Sequence, residues 1–304
     1  MTADQQTPFD IAIVMTTVVR RSIQQAIRSV FAQQFEGRIQ ILVGIDKWEG
    51  EPALLEALTA ERPPHVAITV VDLGYSTSRR HGGLYPSYYG GALKTILSYA
   101  ANSRYVSYLD DDNWYAPDHV ASMLKAVAGK AWAFSLRHLV DRRSGEYLCP
   151  DTWESMGPGR GVYAKAQGGF VDTNCYLLDT QACYDVFPEW AMTRYDGGTG
   201  AERHVGGTGG DRQILQRLAG RPWGSNDAPT VFYRAKLIGQ HPFLLWRYRC
   251  AGVDLARFMP PGAIPGEDVW RQCAAFDRAN EQGGGETPAS AYRTAGGTLP
   301  RIPP

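Results

Sequence analysis

The sequence predicts an α/β fold whose Rossmann-like, mostly parallel central sheet is flanked by helices. Three observations predict it. Apolar runs of strand length alternate with amphipathic helical patterns through the first 130 residues. The strongest run is apolar at nearly every position, as a strand covered on both faces must be. No helical pattern is long or apolar enough to suggest a bundle or a membrane span. Strands alternating with helices in this way imply βαβ units.

Each element follows in chain order. Ile11 to Met15 reads as a strand, and Ile23, Ile27, Val30, Phe31 and Phe35 mark one face of a helix. Ile39 to Ile45 is a second strand. Pro52 opens a helix that turns Leu54, Leu55 and Leu58 inward. Val66 to Leu73 is a third strand, and Gly91 to Ala101 a helix packed through Leu93, Ile96 and Leu97. Tyr105 to Leu109 is the fourth strand. Pro117 opens the next helix, with Val120, Met123, Leu124 and Val127 inward. Beyond residue 130 the alternation degrades. Ala131 to Leu139 and Tyr147 to Cys149 read as a hairpin about Asp141 to Gly145, and Phe170 to Leu178 as a strand leading to a helix over Thr180 to Phe187. A helix carries Ile214, Leu215 and Leu218, Val231 to Ile238 reads as a strand, and Val269 to Glu281 as the last helix.

Composition narrows the function. Lys plus Arg and Asp plus Glu each number 31 in the 304 residues, so no global field exists to hold a nucleic-acid backbone. The N-terminus lacks the basic flank and apolar core of a signal peptide. The five cysteines are widely spaced, which reads as buried thiols in a reducing cytosol rather than a disulfide framework or zinc site. Gly and Pro, 33 and 19 in number, concentrate in loops and in a C-terminal tail over residues 283–304. The expectation is one domain over residues 1–282, with a nucleotide-binding half at 9–130 and an irregular acceptor-side half at 131–282.

The chemistry gathers after the fourth strand, where Asp110, Asp111 and Asp112 precede Asn113 and Trp114. Ligands bind at the carboxyl ends of the strands in an open parallel sheet. Adjacent carboxylates repel one another, no basic residue lies within five positions of them, and a cap or turn needs only one Asp. Carboxylates collected at a strand end suit a hard cation, Mg²⁺ or Mn²⁺, that takes substrate phosphates as further ligands.

The stretch YLDDDNWYAPDHV resembles the DxD region of nucleotide-sugar glycosyltransferases of the GT-A fold, most closely glycosyltransferase family 2. IAIVMTTVVRRSIQQAIRSVFAQQF resembles that family's opening strand, nucleotide loop and first helix, and ILVGID its second strand. GGFVDTNCYLLD and GGDRQILQRL extend the likeness more loosely over residues 170 to 220. The resemblance implies transfer of a sugar from a nucleoside diphosphate to an acceptor hydroxyl, with inversion, assisted by a divalent cation. It gives Asp46 the nucleobase, Asp110 the ribose side, Asp112 the metal and Asp211 the part of catalytic base, while Thr16, Arg20 and Asp111 fall in the nucleotide-sugar site. Met15, Val18 and Gly210 depart from the family pattern, standing where it has Pro, Asn and Glu.

Other residues are candidates on chemistry alone. Arg79, with Arg80, precedes His81, Gly82 and Gly83, where a Gly-rich loop could approach a diphosphate. His241 is a candidate further metal ligand, or a structural histidine. Trp114, Tyr88 and Tyr89 could stack on sugar or base, or pack in the core. Lys94 reads as a plain surface charge, and His204 is the weakest candidate. The Gly-rich stretch from Asp196 to Gly210 reads as a lid or as a surface insertion. The partners implied are a nucleoside-diphosphate sugar and a carbohydrate or lipid-linked glycan acceptor, with no nucleic acid and no integral membrane segment, and with a homodimer admitted. The expected location is the cytoplasm, peripheral at the inner face of the membrane where a lipid-linked acceptor would draw it. The alternatives are a sugar nucleotidyltransferase, for which the glycines after the first strand are missing, and a non-catalytic nucleotide-sugar binder.

Overall fold

A computed structural model describes residues 8–84, 90–192 and 210–281. Tyr88, Tyr89, His204, the stretch 196–209 and the tail from 283 lie outside the described residues. The chain divides into two compact units, one of residues up to Leu136 together with Val171–Val231, the other of Arg137–Phe170 together with the chain from Phe232.

The first unit grows outward from β1 (Phe9–Thr17), which pairs in parallel with β2 (Ile39–Ile45) on one side and β4 (Ser103–Tyr108) on the other. β3 (Val66–Asp72) adds to β2, again in parallel. All seven residues of β2 are buried, because helices cover both faces of a parallel sheet, whereas edge strand β3 buries only Val66 fully. Beyond β4 the direction reverses. β10 (Tyr176–Asp179) pairs antiparallel with β4 and with the start of β6 (Trp132–Asp141). β11 (Trp223–Ala235) and the short β5 (Trp114–Tyr115) complete the order β3-β2-β1-β4-β10-β6-β11-β5.

The helices of this unit are those the apolar spacing predicts. α1 (Ile23–Phe31) buries Ile23, Ala26, Ile27 and Val30, and α2 (Pro52–Glu61) buries Leu55 and Leu58. α3 (Gly91–Ala100) buries Leu93 and Leu97, but Ile96 is 44% exposed, one step off the expected face. α4 (His119–Val127) buries Val120, Met123 and Val127.

The remaining expectations need correction. The strand expected from Phe170 to Leu178 is interrupted by a 3-10 turn at Thr173–Cys175, because Asp172 accepts the Asn174 amide and caps that turn. The helix expected over Thr180–Phe187 is cut to α6 (Thr180–Cys183), with a 3-10 turn at Phe187–Trp190 around Pro188, whose ring disfavours helix in the residue before it. α7 (Gly210–Leu218) matches the pattern of Ile214, Leu215 and Leu218. β11 begins at Trp223 rather than Val231, in a polar stretch without the apolar alternation that marks a strand.

The second unit has its own core, centred on Leu139, Trp153, Leu245, Tyr248 and Trp270. There the end of β6 forms the expected antiparallel hairpin with β7 (Tyr147–Pro150). β8 (Gly157–Pro158) pairs with β9 (Gly169–Phe170), and α5 (Ala164–Gln167) lies between them in sequence. α8 (Pro242–Cys250), not foreseen, precedes α9 (Glu267–Glu281). Arg137 is buried and holds Asp151 at 2.8 Å and Glu154 at 2.9 Å.

Candidate active site

The carboxyl ends of β1, β2 and β4 converge in the first unit, and the loop after β1 is built under strain. Val19 has φ +63°, a conformation that a β-branched residue adopts only when its surroundings force it, at a cost of about 1–3 kcal/mol. The Val19 amide donates to Thr17 Oγ1 at 2.7 Å, and the Glu49 amide to the Val18 carbonyl at 3.0 Å. Gly50 lets the chain pass, since a Cβ there would lie 2.0 Å from the Val19 carbonyl oxygen. The result fixes Thr17 and Arg20 over the acidic cluster.

Residues distant in sequence bring two cations and a hydroxyl to that cluster. Thr17 Oγ1 donates to Asp111 Oδ2 at 2.6 Å, and the Arg20 guanidinium pairs with the buried Asp111 carboxylate and lies 3.6 Å from Asp112 Oδ2. Burial opposes the charge on Arg20, but Asp111, Asp112 and Asp110 outweigh it and hold Arg20 above its ordinary value. Lys94 Nζ donates to Asp110 Oδ1 at 2.8 Å from a side chain only 6% exposed. Desolvation pushes Asp110 up, yet Lys94, Asn174 and Arg20 overcome it and keep the carboxyl below its ordinary value. Lys94, expected to be a surface charge, is instead buried and paired with Asp110.

Asp46 stands just past β2 and is buried. Its Oδ1 accepts from Ser76 Oγ at 2.8 Å, and its Oδ2 lies 3.9 Å from His81 Nε2. Asp211 occupies the first turn of α7. Its Oδ1 accepts the Arg212 amide at 2.8 Å, while its backbone carbonyl accepts the Tyr176 hydroxyl at 2.9 Å. Desolvation first, and the Asp172 carboxylate second, push Asp211 up to about 6, with Arg212 and Lys94 acting against them. Gly210, just before it, is forced by packing: a Cβ would lie 3.0 Å from the Trp190 carbonyl oxygen and 3.2 Å from its ring. A side chain there would need Trp190 to give by a few tenths of an ångström.

Of the residues singled out from the sequence, Arg20, Asp111 and Asp112 are in contact, and Asp110 joins them in the same cluster. Thr16 lies one residue before the end of β1, beside Gly44 of β2, but Thr17, the last residue of the strand, is the hydroxyl that touches Asp111. Arg79 is exposed in a 3-10 turn spanning Arg79–His81. His241 belongs to the second unit, where it caps α8 by accepting the Phe243 amide on Nδ1 at 3.2 Å. Sequence reasoning missed Thr17, Ser76, Asp172 and Asn174. Only the polar run VDTN within an otherwise apolar strand could have signalled the last two.

Among the described residues no three His, Cys, Asp or Glu side chains form a metal cage. The donor set suits instead a Mg²⁺- or Mn²⁺-type ion held by one or two carboxylates together with waters and substrate phosphates. The side chains of Asp110 and Asp112 are 34% and 22% exposed, and that of Asp111 only 1%.

No family model matches the chain, and no curated protein does. Among solved structures, a crystal structure of S. aureus TarS aligns with TM-score 0.51 at 12% identity, over 88% of this chain and 42% of that one. TarS 1–349 in complex with UDP-GlcNAc aligns with TM-score 0.50 at 12% identity, over 87% of this chain and 70% of that one. The same portion in complex with UDP gives 0.50 at 10% identity, over 79% and 63%. The chain thus spans less than half of the first of these proteins. The likeness is one of fold, and the fold is GT-A.

Proposed function

We propose that this protein transfers a sugar from a nucleoside-diphosphate sugar to an acceptor hydroxyl, with inversion at the anomeric carbon. The observation that carries the reading is Asp211. A carboxyl held at about 6 by burial and a neighbouring carboxylate is a base poised for work near neutral pH, and it belongs to the same unit as the Asp110–Asp112 cluster. The acceptor oxygen attacks the anomeric carbon as its proton passes to Asp211. The bond from that carbon to the diphosphate oxygen breaks, and the electron pair leaves with the diphosphate.

Asp46 accepts a ring N–H of the base, and Asp110 accepts from the ribose. Thr16, Arg20 and Arg79 serve the nucleotide and its phosphates, and the strained loop holds Arg20 and Asp111 in place beforehand. A divalent cation held by Asp112 would supply Lewis-acid stabilisation of the departing diphosphate. The fold is shared with TarS, seen bound to UDP and UDP-GlcNAc, which supports a nucleotide-sugar donor.

A panel of UDP-, GDP- and dTDP-sugars, each with and without Mn²⁺, tests the reading by release of nucleoside diphosphate. The expected result is turnover with at least one donor that rises with Mn²⁺ and is lost in Asp112→Asn. A wild-type protein that binds donors without ever turning them over would be a binder, not a transferase.

A further inference from the structure

The turn ahead of β10 carries two buried polar residues whose hydrogen bonds exceed what a turn requires. Asp172 is 6% exposed and Asn174 fully buried. Asn174 Oδ1 accepts the Asp110 amide at 2.6 Å. Its Nδ2 donates both to Asp110 Oδ2 at 3.2 Å and to Asp172 Oδ1 at 2.7 Å. Both amide hydrogens are thus committed to two carboxylates, one of them 64 residues away in sequence, and the carbonyl to the Asp110 backbone amide. Capping the turn needs only the bond from the Asn174 amide to Asp172. Two residues further on, Tyr176 reaches α7 through its bond to the Asp211 carbonyl. The charges acting on the Asp211 carboxyl are Asp172 from this turn, Arg212 from α7 itself and Lys94 from α3.

We propose that Asn174 and Asp172 are positioning residues that bridge the two halves of the site: one carboxamide fixes Asp110 on the donor side and orients the Asp172 carboxylate that acts on Asp211. The inference rests on the transferase reading above. The bridge holds the donor carboxylate and the base in one register, so that the two groups serving opposite faces of the sugar cannot drift independently. It also fixes the Asp172 carboxylate in the place from which its charge raises Asp211, which makes Asp211 a stronger base than an ordinary surface aspartate.

Asp172→Asn separates this role from a structural one. Asparagine caps a turn as well as aspartate, so the thermal midpoint and donor affinity should hold. The like charge acting on Asp211 is gone, however, and the acid limb of the kcat profile moves to lower pH. Asn174→Ala should lower kcat by roughly ten- to a hundred-fold, the usual effect of removing a residue that orients a working group, with a smaller change in donor KM. Should Asn174→Ala fail to fold, Asp172→Asn decides alone. The measurement is nucleoside diphosphate release from the active donor across pH 4.5–8.5, a span chosen to bracket about pH 6. A wild-type kcat and acid limb in Asp172→Asn overturns the bridge. Absence of turnover in the wild type overturns the transferase reading, and the bridge with it, so the wild-type assay tells the two failures apart.

Discussion

Asp211 illustrates how one residue can set function against stability. Its carboxyl is held near 6 by desolvation and by Asp172, above the value it has in the unfolded chain. The sign follows directly. The folded state keeps a proton that the unfolded state gives up, so this group's contribution is full below about pH 4, declines as pH rises, and is lost above about pH 6. Asp211→Asn is therefore expected to abolish transfer while spared donor binding persists. It should also raise unfolding stability at pH 7.5 by up to about 3 kcal/mol, with little effect at pH 4, as denaturant titration at both values would show. In the wild type, kcat should climb through about pH 6 as the base deprotonates.

At the level of elements, the loop after β1 carries the strain that prepares the site. Gly50→Ala would press a methyl group against the Val19 carbonyl, where the Cβ has only 2.0 Å. The expected cost is about 1–3 kcal/mol together with a weakening of affinity for the nucleotide of the active donor, read by thermal shift and calorimetric titration. β1, β2, β4 and α1 to α4 were legible in the sequence because burial on one or both faces writes a period into it. The contacts within the site were not. Thr17, Lys94 and Asn174 reach the acids from 94, 16 and 64 positions away, and no local pattern encodes such distances. The first half of β11 escaped notice for the opposite reason: it is polar and only partly buried, so it carries no alternation to find.

For the molecule as a whole, the site residues Arg20, Asp46, Asp110 to Asp112 and Asp211 belong to the first unit, while His241 belongs to the second. Each unit has a separate apolar core. Leu245→Ala, in the second core, should cost about 2–5 kcal/mol of stability. Affinity for the nucleotide of the donor that turns over should stay at the wild-type value, and calorimetry beside nucleotide titration would check both. A fall in affinity would mean that the second unit supports the nucleotide site. Chain order adds a consequence for biosynthesis. The first unit is interrupted after Leu136 and resumes at Val171, and its base comes about a hundred residues after its acids. At translation rates of about 5–20 residues per second, a growing chain carries the donor carboxylates for roughly 5–20 s before Asp211 is made. On the proposed mechanism, any fragment released in that interval would have acids without a base, so only a chain synthesised past α7 could have the full set of groups the proposed transfer requires.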